Sequence, residues 1–454
     1  MRSNYLIAAF LIVAILGLIA VLYPEGAGAM LIVIFLSAIA IFVFRRFTED
    51  KQFVTNIFLA ALFVRLLFGL FIHFYDLRDF FGGDANTYDY NGFILIDHWT
   101  GGTASDDISS RRASSIAGPG WGMNYLVAGL YYLLGRNILA AQSFCAVFGA
   151  ATAPMVYYCS VKIFQSKNVG KISAITIAFF PSFIIWSGQL MKDGLIIFLL
   201  VLSITMVLQL QEKFNYAAFV LLILSLGGII SLRFYIFYML AIAVAGSFII
   251  GISKSTQSIL TRTAVLIIMG LSLTYLGIIR NAGTNLEKFG TLEMVQRSRG
   301  DLATSADSGF GEDLDVSTTD GAISAVPVGF VYLMFAPFPW QVTSFRQAIT
   351  LPEVLLWWAM IPLMVVGIWY AARNRLRSAF PILIFSLTLT LAYSIFQGNV
   401  GTAYRQRTQI QVFLFIFIAV GWTIFKERRD DKKMIRLEKR RQFERSLQAR
   451  KHAV

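Results

Sequence analysis

Little of this chain is charged. Asp, Glu, Lys and Arg together make up 14% of its 454 residues while 57% are hydrophobic, and an ordinary soluble domain carries about 25% charged residues. A soluble surface has no room for forty Phe and eight Trp, so soluble-enzyme, DNA-binding and disulfide-scaffold readings are excluded. Cysteine is nearly absent. Cys145 and Cys159 share one apolar stretch, about 21 Å apart at 1.5 Å per helical residue, too far to bridge. The three histidines, His73, His98 and His452, are scattered and make no zinc box. No Walker A string occurs, and Asp313 and Asp315 form a DxD-like string that is set aside because the motif serves nucleotide-sugar enzymes with a bound metal and the loop that holds it reads as lying outside; no metal site is expected, although the sequence is silent on a divalent-ion requirement.

The net positive charge lies mostly in a tail. The net charge is +13, and residues 426 to 454 hold twelve Lys or Arg against five Asp or Glu. Such a tail beside a membrane span is a topology signal and a contact for anionic membrane lipids rather than a nucleic-acid site.

Repeated apolar runs predict an all-α polytopic membrane protein with about twelve transmembrane helices. They lie at about 5–23, 27–44, 55–75, 137–161, 172–187, 192–210, 216–231, 234–252, 263–279, 353–371, 379–396 and 408–425. Residues 1–425 would form the membrane domain and 426–454 a basic cytoplasmic tail. The first run is too long for a signal-peptide core and a second follows at once. Lys and Arg cluster after the second, fourth, eighth, tenth and twelfth spans, which puts both termini in the cytoplasm. Parity closes if two shorter stretches, 121–135 and 326–340, lie in the interface or re-enter. The long polar loops 76–120 and 281–325 then face outward, and any chemistry is extracytoplasmic. In a bacterial inner membrane that face has no nucleotide sugars, so a transferase there would draw on a lipid-linked donor. Residues 300–322, poor in apolar groups, read as a mobile loop.

Within this pattern some polar residues stand out. Asp84 and Asp89 follow the third span in FFGGDANTYDYNG, and one carboxylate suffices as base for an inverting glycosyl transfer. Asp84 is the first candidate, because Gly82 and Gly83 allow a tight turn beside Tyr88. On the outer side Lys192, Arg233, Arg280, Arg405 and Arg407 run against the positive-inside tendency; a lipid phosphate or diphosphate would hold them there. Snorkelling to headgroups is the plainer alternative, especially for Arg233 and Arg280. At two residues' separation Arg405 and Arg407 would point roughly 200° apart on a helix, so an irregular or just-starting helix is expected at 403–407. Arg65, midway along a span, needs a partner; Asp193 is one possibility, while Lys192 and Asp193 could instead neutralise each other. Tyr88 and Trp121 are candidates to pack on a sugar.

The acid of the first outer loop, followed by GPGWGMNYLVAGLYYLLGRNILAAQSFCAVFGAATAPMVYYCSVKIF, resembles the GT-C superfamily of polytopic glycosyltransferases, notably bacterial relatives of protein mannosyltransferases. AITIAFFPSFIIWSGQLMKDGLIIFLLVLSI is similar to that family's paired spans, and GTAYRQRTQIQVFLFIFIAVGW to its final span. The resemblance covers about 75–210 and 395–425. It implies a GT-C-like fold, Asp84 as the first-loop catalytic Asp and Arg405 as a contact for the lipid phosphate. Ala85 follows Asp84 where the family often has a second acid, which leaves Asp89 or nothing for that role. The same KD turn and Arg pair also resemble repeat-unit polysaccharide polymerases, which use polyprenyl-diphosphate-linked glycans. The reading is therefore a membrane glycosyltransferase with a polyprenyl-phosphate-linked sugar as donor and a glycan, lipid or protein as acceptor. The competing classes are a polymerase, a lipid or glycolipid flippase with Arg65 and Asp193 in its path, and a non-catalytic assembly partner.

Overall fold

The computed structural model describes residues 25–101, 115–250, 256–304 and 308–451, with isolated positions between 10 and 22; the side chains of 256–262 and 431–451 lie outside the description. The first expected span falls mostly outside these residues. Within them the protein is a helical membrane bundle, and the β pairing they contain is one bridge, Gly309 to Asn399. Seven helices are long and apolar enough to cross a membrane, or eight if one bent pair counts as a single span.

The chain starts with α1 (Gly26–Phe47) and α2 (Lys51–Phe74), then α3 (Asp84–Trp99) and α4 (Gly122–Leu134) of the first polar loop. The central helix is α5 (Ile138–Phe164), where the Asn137 side chain accepts from the Ala140 amide at 2.9 Å, an N-cap that fixes where the helix starts. Next come α6 (Lys167–Phe179), α7 (Pro181–Ser187), α8 (Lys192–Glu212), α9 (Tyr216–Leu232) and α10 (Phe234–Ile250). The apolar α11 (Thr256–Tyr275) leads into α12 (Ile278–Phe289) and α13 (Leu292–Thr304) of the second polar region, and α14 (Thr319–Phe335) follows. Three long helices finish the chain: α15 (Phe345–Asn374), α16 (Leu376–Phe396) and α17 (Val400–Lys451).

Where the expected spans at 172–187 and 263–279 lie, the helices are interrupted. Pro181 splits the first into α6 and α7, because proline has no N–H for the preceding turn, and α11 and α12 bend by 74°. Helices α9 and α10 have 17 residues each, about 26 Å. The stretch at 121–135 is the 13-residue α4, packed on α3. That at 326–340 starts earlier than the hydropathy suggested: Thr318 caps α14 by accepting from the Gly321 amide, and α14 lies along α16.

Close approach of helices shapes the bundle. Gly367 and Gly421 sit where α15 and α17 touch, and a Cβ at either would collide with a carbonyl oxygen of the facing helix, as in small-residue membrane interfaces. The polar tail begins inside α17, which continues without a break from the last span.

The two ends of the bundle differ in charge. At one end Lys162 pairs with Glu212 at 2.8 Å, Lys167 with Glu49 at 2.9 Å, and Asp50 accepts from Tyr157 at 2.6 Å. That hydrogen bond, with Lys171 and Lys167 nearby, holds the Asp50 carboxyl below its ordinary range. Asp193, at the opposite end of α8 from Glu212, is about 28 Å away along the helix axis.

Residues 300–322 are packed in place among the described residues rather than left loose. Buried Arg299 donates to the carbonyls of Ile395 and Gln397 at 3.0 and 2.5 Å, and the Phe310 and Val400 amides donate to Gly398 and Ser308. A few apolar side chains, Phe310 and Val316 among them, are buried in small clusters there as well, too sparse in the sequence for composition to show it.

Candidate functional site

Three buried arginines share one local job. Pro181 leaves the Ile177 carbonyl without its helical donor, and Arg65 supplies it, donating to the oxygens of Ile177 and Ala178 at 3.2 and 3.0 Å. Arg65 also donates to Ser187 at 2.8 Å. Arg299 serves the end of α16 in the same way, and Arg407 the end of α14, donating to Met334 and Ala336 at 3.0 and 2.9 Å. A cation at a helix C-terminus meets unpaired carbonyls and the negative end of the dipole. Arg65 therefore has neither Asp193 nor any other carboxylate as its partner among the described residues, and Arg407 points away from Asp84.

Arg405, two residues before Arg407, has a different environment. Asn399 caps α17 by accepting from the Thr402 amide, and Arg405 follows within the first turns of that helix, which begins at Val400; 403–407 is thus a helix just starting, and regular. Its Nη1 donates to Asp84 Oδ2 at 2.7 Å, and its Nε to Asp193 Oδ2 at 2.6 Å. The guanidinium lies over the Trp186 ring at 5.5 Å. Asp193 is fully buried at the start of α8 and also faces Arg233 at 3.3 Å and the Gln409 amide at 3.3 Å. Gln409 is held in turn by the Tyr393 hydroxyl at 2.5 Å. Lys192 starts α8 beside this group, its ammonium against Gly120 and in electrostatic reach of Arg233, Asp193, Arg405 and Asp84.

Asp84 opens α3. Gly83 in the left-handed conformation turns the chain into that helix, a geometry glycine adopts without steric cost. The side chain is 39% exposed and lines a cavity of about 710 Å³ with Arg405, Trp186, Tyr404, Arg346 and Asn399. Only Oδ2 of Asp84 is engaged among the described residues, and Oδ1 is left without a hydrogen bond there. Arg346 ties the first polar loop to α15 through the Asp79 carbonyl at 3.0 Å. Tyr88 is buried behind Asp84, and burial with the Asp84 carboxylate pushes its phenol well above the ordinary range.

The other candidates lie apart. Asp89, on another side of α3, accepts from Tyr131 at 2.6 Å and pairs with Arg136, which anchors α3 to α4. Arg280 is exposed on α12, with no ion pair among the described residues. Trp121 is at the rim of α4, edge-on to Tyr125 at 5.2 Å. Among the described residues no cluster of three His, Cys, Asp or Glu could hold a metal ion.

Several residues here were legible but missed. Trp186 stands in the same WSGQLMKDG run as Lys192 and Asp193. Gln409 breaks an apolar span, as does Glu353, which lies buried beside Ser182 and, through it, Tyr404. A lone polar group in a span is a signal in itself.

Residues 113–280 match the family model of dolichyl-phosphate-mannose-protein mannosyltransferase. No curated protein matches the chain. The matched family is a glycosyltransferase family of the GT-C type, as the resemblance implied. The match covers α4 to α11 and the start of α12, and so carries Lys192, Asp193 and Arg233; Asp84 and Arg405 lie outside it. With the helical bundle it supports a multi-pass membrane glycosyltransferase of the GT-C type.

Proposed function

We propose that the protein transfers a sugar from a polyprenyl-phosphate-linked donor to an acceptor hydroxyl in the cavity lined by Asp84, on the extracytoplasmic face of a bacterial inner membrane, with both termini in the cytoplasm. The observation that carries this is the pairing of Arg405 with both Asp84 and Asp193 at the cavity wall. Asp84 Oδ1 is available to accept the proton of the attacking hydroxyl. The oxygen of that hydroxyl forms the new bond to the sugar's anomeric carbon as the bond to the phosphate oxygen breaks. Arg405, with Lys192 beside it, would hold the leaving phosphate, while buried Arg233 and Gln409 fix Asp193 and through it the guanidinium. The Trp186 ring, 5.5 Å from the guanidinium, adds a cation–π contact.

The charge of the site suits an anionic donor. Arg405, Arg233 and Lys192 stand against two carboxylates, Asp84 and Asp193, and Arg346 adds a further cation to the cavity wall. Surplus positive charge is costly in a buried site, and a lipid-linked phosphate or diphosphate would offset it. The flippase alternative loses its motive, since Arg65 is spent on helix carbonyls.

The test uses purified protein in nanodiscs with radiolabelled polyprenyl-phosphate hexose and polyprenyl-diphosphate hexose. Release or transfer of the hexose from the phosphate donor is expected. Turnover of the diphosphate donor alone would favour the polymerase reading.

A further inference from the structure

The main cavity has a side chamber of about 220 Å³. The two share five lining residues, Ser308, Pro337, Thr343, Gln347 and Val400, so one ligand can occupy both. Their linings differ. The main cavity is lined by Asp84, Arg346 and Arg405, whereas no charged side chain lines the chamber.

What lines it is aromatic and amide. Tyr332 is stacked on Phe310 at 4.2 Å and meets Phe338 edge-on at 5.5 Å, so its orientation is set. The Gln347 Oε1 accepts from the Thr343 amide and hydroxyl at 2.9 and 3.3 Å. That leaves its Nε2 with no partner among the described residues, on a side chain that lines both the chamber and the main cavity. Gln341 donates to the Tyr332 hydroxyl at 3.3 Å and keeps its carbonyl oxygen as acceptor. A neutral ligand that both donates and accepts and has an apolar face fits such walls. A sugar ring has hydroxyls around its edge and C–H bonds on its faces.

We propose that this chamber is the acceptor subsite, and that the acceptor is a neutral glycan whose terminal ring sits here with a hydroxyl directed toward Asp84. The inference rests on the transferase reading and specifies its acceptor class. A peptide acceptor presents a run of backbone N–H and C=O groups that calls for an open strand edge or groove, which a chamber of this size does not offer.

The experiment is a binding titration and needs no donor. Trp340 stacks on the chamber residue Phe338 at 5.2 Å, so its fluorescence reports occupancy, and Trp340→Phe identifies the signal. Asp84→Asn protein in nanodiscs is titrated with neutral di- and trisaccharides of glucose, galactose and mannose, and separately with a Ser- and Thr-containing peptide. Saturable quenching by at least one oligosaccharide is expected, unchanged by salt. It should weaken about tenfold in Gln347→Ala and again in Gln341→Ala, each having lost one hydrogen bond. Saturation by the peptide with the sugars inert would overturn the proposal, as would sugar binding indifferent to both substitutions or no saturation at all. Sugar binding that persists where donor turnover fails would support the subsite while counting against the donor assignment.

Discussion

Arg405 and Arg407 stand two residues apart on the first turns of α17, and the two sides of that helix use the same guanidinium differently. On one side Arg405 meets two carboxylates, an indole ring and open volume. On the other Arg407 is fully buried against the carbonyls at the end of α14. Arg65 and Arg299 belong with Arg407, since each closes the end of a helix. Buried cations in a membrane protein thus have two explanations, and geometry separates them. A guanidinium on carbonyls has no partner to exchange. One on carboxylates beside a cavity can take an arriving anion.

The contrast predicts an order of effects. Asp84→Asn should have the largest, a loss of about 10² to 10⁴ in transfer rate with insertion and folding retained, because the amide keeps the shape but accepts no proton. Asp89→Asn, which disturbs only the hold of α3 on α4, should stay within a few-fold of wild type in the same radiolabel assay. If the two variants swapped ranks, the catalytic role would move to Asp89.

Next comes Arg405→Lys. The charge stays but one ammonium cannot reach Asp84 and Asp193 with the same fork, and loss of a charged hydrogen bond is worth roughly ten- to a hundredfold. Steady-state kinetics with varied donor would show it; wild-type kcat/KM would remove Arg405 from the donor site. The smallest catalytic effect belongs to Arg407→Lys. It should lower thermal stability by about 1–3 kcal/mol, since an ammonium serves two carbonyls poorly, and leave the rate per folded molecule within a few-fold. A large kinetic defect without a change in Tm would break the division between the two sides.

The sequence made the membrane bundle legible because hydropathy is a local property, and the long spans α1, α2, α5, α8, α15, α16 and α17 follow it closely. Breaks were harder. Pro181 and the bend after Tyr275 divide apolar runs that a hydropathy window reads as continuous. Asp84 and Arg405 could be singled out as anomalies, each by its own surroundings in the chain, yet their 2.7 Å contact spans 321 positions and no local pattern encodes it. The 200° offset of Arg405 and Arg407 was visible as helix arithmetic. Which of them would face the cavity was not, because that depends on where α14 ends. Trp186 and Gln409 were overlooked because an aromatic or amide beside stronger charges draws less attention than the charges.

The most direct test of the central claim is a cryo-EM map of the wild-type protein in nanodiscs with added polyprenyl phosphate. Phosphate density is expected against Arg405 and Lys192, at the wall of the cavity lined by Asp84, with Arg407 still on its carbonyls. Phosphate bound on the Arg407 side, or at Arg280 with the Arg405 cavity empty, would contradict it.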